Sequence, residues 1–132
     1  MKPFVVDTDV VSFLFKQDSR ASLYLPYLSG HSSIISFMTV AELERWSLTA
    51  NWGSKRTEWM RLFIARFVVV PYTHDLAVKW AIAMTSARRA GRPIQTADAW
   101  VAATALLYQT PLLTHNKSDY LGVDSLEFAD RC

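Results

Sequence analysis

From Ala99 to Leu107 the chain is apolar on every side, a pattern that predicts a helix buried all round rather than an amphipathic one. Pro93 disfavours an α conformation at Arg92, and Thr96 is the expected N-cap. Asp98 then falls in the first turn of this buried helix. An acid there either complements the helix dipole or belongs to a site, because a carboxylate at the mouth of a central helix is costly to bury without a cation.

The flanking pattern alternates short apolar runs with helical periodicity. Phe4-Val5-Val6 reads as a buried strand ending at Asp7-Thr8-Asp9, with Thr8 or Asp9 capping a helix through Lys16. A second helix is expected from Ser19 to Leu28. Its Leu23, Tyr24, Tyr27 and Leu28, added to Val10, Val11, Phe13, Leu14 and Phe15, make more apolar surface than a sheet-facing stripe needs. Either all of it is core or part faces a partner. Ser33-Ile34-Ile35-Ser36 is the second strand, and Thr39 with Glu42 has the spacing of a capping box opening a helix to Ala50. A helix over Lys55 to Phe67 carries Lys55, Arg56, Arg61 and Arg66, readable as a solvated face or as a stripe facing nucleic acid. Val68-Val69-Val70 is the third strand, Thr73 caps a helix ending near Ala90, and Pro111 to Thr114 forms the fourth. The polar loop His115 to Tyr120 follows, then Ser125 to Phe128 as a last edge strand.

Strands alternating with helices imply an α/β fold with a largely parallel sheet and helices on both faces. Ligands of such sheets bind beyond the carboxyl ends of the strands. Asp7 and Asp119 follow strands directly, while Glu42 and Asp98 start helices entered from that same end. Four carboxylates distant in sequence are thus expected in one cleft.

Composition narrows the chemistry. The 132 residues, 51% hydrophobic and 20% charged, fit a single domain over residues 1–132 and not a disordered chain. No apolar run reaches bilayer length, and Asp7 comes too early for a signal-peptide core, so a soluble, cytoplasmic protein is expected. The one cysteine, Cys132, excludes an internal disulfide and a thiolate metal cluster within one chain. A net charge of +2 permits a polyanionic partner without requiring one. Crowded carboxylates repel unless a cation holds them, and Mg2+ or Mn2+ prefers such oxygen ligands. His31, His74 and His115 lack paired ligand spacing, which argues against zinc. Carboxylate-held magnesium points to phosphoryl chemistry.

Four segments sharpen this reading: Val-Val-Asp7-Thr8-Asp9, Thr39-Val-Ala-Glu42, Gly91 through Asp98 into Leu106, and Leu-Leu-Thr114-His-Asn116-Lys-Ser-Asp119-Tyr120. In this order and at these separations they resemble the motifs of PIN-domain ribonucleases, most closely the VapC toxins of toxin–antitoxin pairs. The resemblance spans nearly the whole chain. It implies a three-layer PIN-like α/β fold, a Mg2+- or Mn2+-dependent endoribonuclease, and catalytic, metal-binding acids at Asp7, Glu42, Asp98 and Asp119. Thr8, Asp9, Thr114 and Asn116 would support the metal or its water. Two positions depart from the pattern: Asp9 stands where asparagine is usual, and Asn116 where aspartate is frequent.

The resemblance further implies hydrolysis by water in line at phosphorus, leaving 5′-phosphate and 3′-hydroxyl ends. Lys16, Lys55, Arg56, Arg88, Arg89 and Arg92 are the cations available to hold an RNA backbone, with tRNA and rRNA as the candidate substrates. Partners implied are a VapB-like antitoxin, seated on the apolar surface of the first helices and around Trp46, Trp52 and Trp59, and a second copy of the chain in a homodimer. An RNA-processing PIN nuclease without a toxin role is the alternative within the same fold. A receiver-like signalling domain would need adjacent acids after the first strand, whereas Asp7 and Asp9 are split.

Overall fold

The computed structural model describes residues 3–28 and 33–129. His31 and Cys132, noted above, lie outside them. Four strands, β1 (Phe4–Val6), β2 (Ser33–Ser36), β3 (Val68–Val70) and β4 (Leu112–Leu113), form one sheet in the order β3-β2-β1-β4. All three pairings are parallel, with Val5 opposite both Ile34 and Leu112. Parallel strands require crossover connections. These are supplied by α1 (Thr8–Lys16), α2 (Leu25–Leu28), α3 (Phe37–Thr49), α4 (Ser54–Ile64), α5 (His74–Arg89) and α6 (Thr96–Tyr108).

Successive strand residues point to opposite faces, and the core divides accordingly. Val5, Ile34, Val70 and Leu112 pack with Ala83, Ala87, Ala99 and Ala102 of α5 and α6. Val6, Ile35 and Leu113 pack on the other face with Val10, Phe13, Leu43, Met60 and Ile64 of α1, α3 and α4. This is the three-layer α/β arrangement expected, with helices on both faces. The small side chains of α6 let it lie close to the sheet; from Val101 to Ala105 it is buried at every residue.

Several local expectations are corrected. Ser19 to Leu28 is not one helix: a 3-10 turn over Ser19–Leu23, capped by Asp18, precedes the single turn of α2. Pro26 lies within that single turn, and a proline inside a longer helix would remove a backbone hydrogen bond. The helix expected from Lys55 to Phe67 runs instead from Ser54 to Ile64. Ser125 to Phe128 adds only an isolated parallel bridge, Phe128 to Leu112. Thr73 caps α5 as expected, while the caps of α1, α3 and α6 fall one to three residues earlier than expected, with consequences for the site.

Strand order reverses between β1 and β4: β2 and β3 extend the sheet to one side of β1, and the chain then returns to its other side. A crevice opens at the carboxyl ends where such a reversal occurs. Asp7 and Thr114 are the residues that follow β1 and β4 there.

Candidate metal-binding acid cleft

A cleft of about 350 Å³ lies at that point, lined by Asp7, Thr8, Asp9, Ser12, Glu42, Leu43, Trp46, Asp98, Asn116 and Asp119. Five carboxylates meet there, and no lysine, arginine or histidine is among the lining residues. Three come from the starts of helices. Asp7 is the true N-cap of α1, not Thr8 or Asp9; its Oδ1 accepts from Thr8 N at 2.7 Å. Asp9 occupies the first turn, where its Oδ1 accepts from Val10 N at 2.7 Å. At α6 the N-cap position is Gln95, without a side-chain cap bond, and Thr96 is the first helical residue. Asp98 therefore stays in the first turn and faces the cleft.

Glu42 is not part of a capping box. Ser36 caps α3 through Met38 N, so Thr39 and Glu42 both sit inside the helix, one turn apart on the cleft side. Thr8 Oγ1 donates to Glu42 Oε1 at 2.7 Å. Having given its one proton to Glu42, Thr8 can only accept from Thr39 Oγ1, 2.9 Å away. A relay Thr39 to Thr8 to Glu42 fixes the glutamate.

Beneath the cleft, Asp7 Oδ2 accepts from both Thr114 Oγ1 and Tyr120 OH, each at 2.8 Å. The same Tyr120 hydroxyl lies 3.4 Å from Asp98 Oδ1, tying the two aspartates to one buried side chain. Asp9 Oδ2 accepts from Asn116 Nδ2 at 2.9 Å and from His115 N at 3.2 Å. Tyr120 and Thr39 are the polar groups that sequence pattern missed. Tyr120 reads as the end of the polar loop after β4, and Thr39 as a cap; only their tertiary partners reveal them.

The acids are strained electrostatically. Burial, opposed by hydrogen bonds from Thr114, Tyr120 and Thr8, raises the Asp7 carboxyl above its ordinary range. Burial and then the Asp7 charge push Asp9 up to about 7. Asp98 is pushed to about 6 by burial, then by Asp7, Asp119 and Glu42. Glu42 is also raised, burial outweighing the Thr8 hydrogen bond. Tyr120, buried beside these charges, is driven far above its usual value and stays a neutral donor.

These shifts carry a stability consequence. Between the ordinary carboxylate pKa of about 4 and these raised values, the folded chain binds more protons than the unfolded one, so stability falls as pH rises through that window. In EDTA, the thermal midpoint should be lower at about pH 8 than at about pH 5, and Mg2+ should recover part of the difference at the higher pH. Thermal unfolding across that range checks this; a midpoint that climbs with pH in EDTA would contradict it.

The donor set suits a hard divalent cation: oxygen ligands only, excess negative charge, and no cation of the protein's own among the lining residues. Among the described residues no three His, Cys, Asp or Glu side chains are already drawn into a closed cage. Asp7 is held by Thr114 and Tyr120, and Glu42 by Thr8.

The expected RNA-holding cations do not join the acids. Lys16 lies beside the cleft, its Nζ 4.9 Å over the ring of Trp46. Arg56 sits over Trp52 at 4.4 Å, and Lys55 is exposed at the start of α4. Arg88 and Arg89 line a separate hollow of about 490 Å³ with Pro93 and Ile94, just before α6, and Arg92 is exposed nearby. Arg61, by contrast, is paired with Glu44 at 2.8 Å.

A parallel sheet of order β3-β2-β1-β4, three layers deep, with acids gathered at the β1/β4 switch point, defines a class before any comparison is made. The profile of the PIN domain matches residues 4–121, and the chain belongs to that family. It is similar to Ribonuclease VapC1 of Haemophilus influenzae strain R2866, 23% identical over 129 residues covering 96% of each chain. The VapC ribonuclease Y4jK of Sinorhizobium fredii is 28% identical over 124 residues, covering 88% of this chain and 89% of the relative. Among solved structures, VapBC2 from Rickettsia felis bound to a promoter DNA fragment aligns with a TM-score of 0.82 at 16% identity, over 96% of this chain and 97% of that one. VapBC-1 from nontypeable H. influenzae aligns with a TM-score of 0.80 at 23% identity, over 97% of each. No helix among the described residues is long and apolar enough to cross a membrane.

Proposed function

We propose that this chain is a Mg2+- or Mn2+-dependent endoribonuclease, the toxin of a VapBC-type pair whose RNA cleavage inhibits translation. The observation that carries the reading is the cleft itself: five carboxylates converging without a cation of their own, in a PIN fold. Asp7, Asp98 and Asp119 would hold the metal directly or through water, with Glu42 as a further ligand or as proton acceptor. A bound divalent ion supplies an acidified water and offsets charge on the phosphate oxygens.

The protein's own groups then do the rest. Glu42, aimed by the Thr39–Thr8 relay, receives the proton of the water that attacks phosphorus in line. Thr114 and Tyr120 keep Asp7 in one rotamer, and Tyr120 couples it to Asp98. Asp9 and Asn116 support the rim. No nucleophilic side chain is required. Lys16 on Trp46, and Arg88, Arg89 and Arg92 before α6, would meet the RNA backbone on either side, while Lys55 and Arg56 are farther candidates along α4.

A partner helix has a place to sit. A groove of about 670 Å³ between α1, α2, α4 and β3 is lined mostly by apolar side chains, among them Leu14, Leu25, Leu28, Trp59 and Phe63, with Gln17 and Arg66 also on its walls and Trp59 48% exposed. We assign it to the VapB-like antitoxin, in keeping with the VapBC complexes this chain resembles. A homodimer in the cytoplasm completes the reading.

Purified protein should cut a pool of cellular RNAs, structured tRNAs included, with Mg2+ or Mn2+ and not with EDTA, and light scattering on the same sample should give twice the chain mass. Cutting that survives EDTA would sink the metal reading; a strict monomer would remove the dimer. Cleavage without growth arrest on expression would favour the RNA-processing alternative.

A further inference from the structure

The tryptophans expected together under a protein partner separate in the fold. Trp59 lines the groove given to the antitoxin, whereas Trp46 forms part of the wall of the acid cleft. Next to Trp46 comes Trp52, in the turn between α3 and α4, with ring centroids 4.7 Å apart. The buried ring of Phe15 stacks on Trp52 at 5.4 Å and anchors it to the α1 core. Both indoles are half-buried.

Each of these two rings carries a cation. Lys16 Nζ stands 4.9 Å from the centre of Trp46, and Arg56 Cζ 4.4 Å from that of Trp52. Both cations are exposed, so they mark the sides of the rings that face solvent. Arg20 and Arg61 are neutralised by carboxylates, Asp18 and Glu44. Lys16 and Arg56 make no salt bridge among the described residues, and an aromatic ring holds a cation without cancelling its charge. Trp80 and Trp100, by contrast, stack on each other at 5.3 Å. A partner helix with an apolar face would have to bury two unpaired charges here, which is costly. A polyanion with flat bases suits both features, phosphates meeting the cations and bases the rings.

We propose that Trp46, Trp52, Lys16 and Arg56 form a track for single-stranded RNA leading away from the acid cleft, with a base stacked on each indole and a phosphate on each cation. The proposal rests on the ribonuclease reading above and gives it a substrate class. In a duplex the base faces are already stacked on their neighbours, so the track selects unpaired segments. Each cation covers its ring until a base takes that place, and its long stem then carries it to the adjoining phosphate.

Fluorescence anisotropy of a short labelled oligoribonucleotide, in EDTA so that no metal supports cutting, reads the track directly. Wild type should bind the single strand about 10-fold more tightly than the same strand annealed to its complement. Trp46→Leu should weaken single-strand binding about 10-fold, and Trp46→Phe, which keeps a ring, by no more than about 3-fold, with duplex binding unchanged in both. Lys16→Gln and Arg56→Gln, both at exposed positions, should each lower the slope of log affinity against log salt by about 0.7. Equal binding of single strand and duplex by wild type, or undiminished single-strand affinity in folded Trp46→Leu, would overturn the proposal and leave the ring to a protein partner. Should Trp46→Leu not fold, the salt slopes decide, and slopes unaltered in both cation variants overturn it as well. Where wild type still cuts RNA with Mn2+, these failures remove only the track; wild type that neither binds nor cuts RNA would overturn the nuclease reading beneath it.

Discussion

Replacing Asp98 by asparagine is expected to lower metal-dependent RNA cleavage by more than about 100-fold, the upper end of what loss of a group merely supporting a ligand costs. The substitution changes little else. Asparagine fills the same volume at the first turn of α6, its carbonyl can still accept from Tyr120 OH, and the buried wall of that helix is untouched. What disappears is one negative charge in a cleft where Asp7, Asp119 and Glu42 already press on it. Without metal, therefore, the variant should unfold at the same temperature as the wild type or slightly above it. An inactive enzyme that is no less stable is the signature of a ligand, whereas a residue holding the fold together would lose both. Cleavage assays beside thermal unfolding decide between these. Undiminished cleavage by the variant would place the chemistry elsewhere.

The second large effect concerns the wall behind the cleft. Gly122 lies two residues after Tyr120, where the chain passes against the end of α5 and the segment leading to α6. A Cβ built there would stand 2.6 Å from the carbonyl oxygen of Arg92, 2.9 Å from Arg92 Cβ and 3.0 Å from Ala87 Cα. Two of these three are backbone atoms, so no rotamer change relieves the crowding. Gly122→Ala should cost about 2 kcal/mol, and Gly122→Val about 3 kcal/mol, within and at the top of the range for overpacking. For a chain of this size the second corresponds to a fall of roughly 10 °C in thermal midpoint. Because the loop bearing Tyr120 must give way, cleavage should fall as well. Differential scanning calorimetry checks the first expectation; a Gly122→Val protein as stable as wild type would show the approach to be looser than these distances.

Tyr120 illustrates why part of the site escaped the sequence. By sequence it closes a polar loop, yet its side chain is almost fully buried and packs in the α5–α6 core. Its hydroxyl, however, reaches Asp7, 113 positions earlier. Thr39 and Glu42 show the opposite error. Their spacing matches a capping box, a local motif, yet Ser36 caps the helix and both side chains look across to Thr8. Helix starts are encoded weakly because Ser, Thr and Asp all cap well, so neighbouring residues compete and tertiary contacts choose among them. That is also why Asp7 took the cap expected of Thr8 or Asp9. The second helix failed for a related reason: Ser19 to Leu28 has helical apolar spacing, but Asp18 caps a 3-10 turn and Pro26 lies too near for a long helix to survive.

By itself the sequence determined the alternation of strand and helix, the buried character of α6, the four strands and the four acids expected at their carboxyl ends. Each follows from a short-range signal: period-2 or period-3.6 patterning, and the rule that a residue ending a parallel strand faces the ligand side. The tertiary structure alone decided which groups those acids touch. The partners of Asp7 and Asp9 lie 107, 113 and 107 positions away, joined because β4 crosses back to pair with β1, and that of Glu42 lies 34 away, joined because β1 and β2 are neighbours. Local periodicity says which face a side chain takes, but a hydrogen bond between two loops depends on strand order. That order is set by how the whole chain buries its two cores.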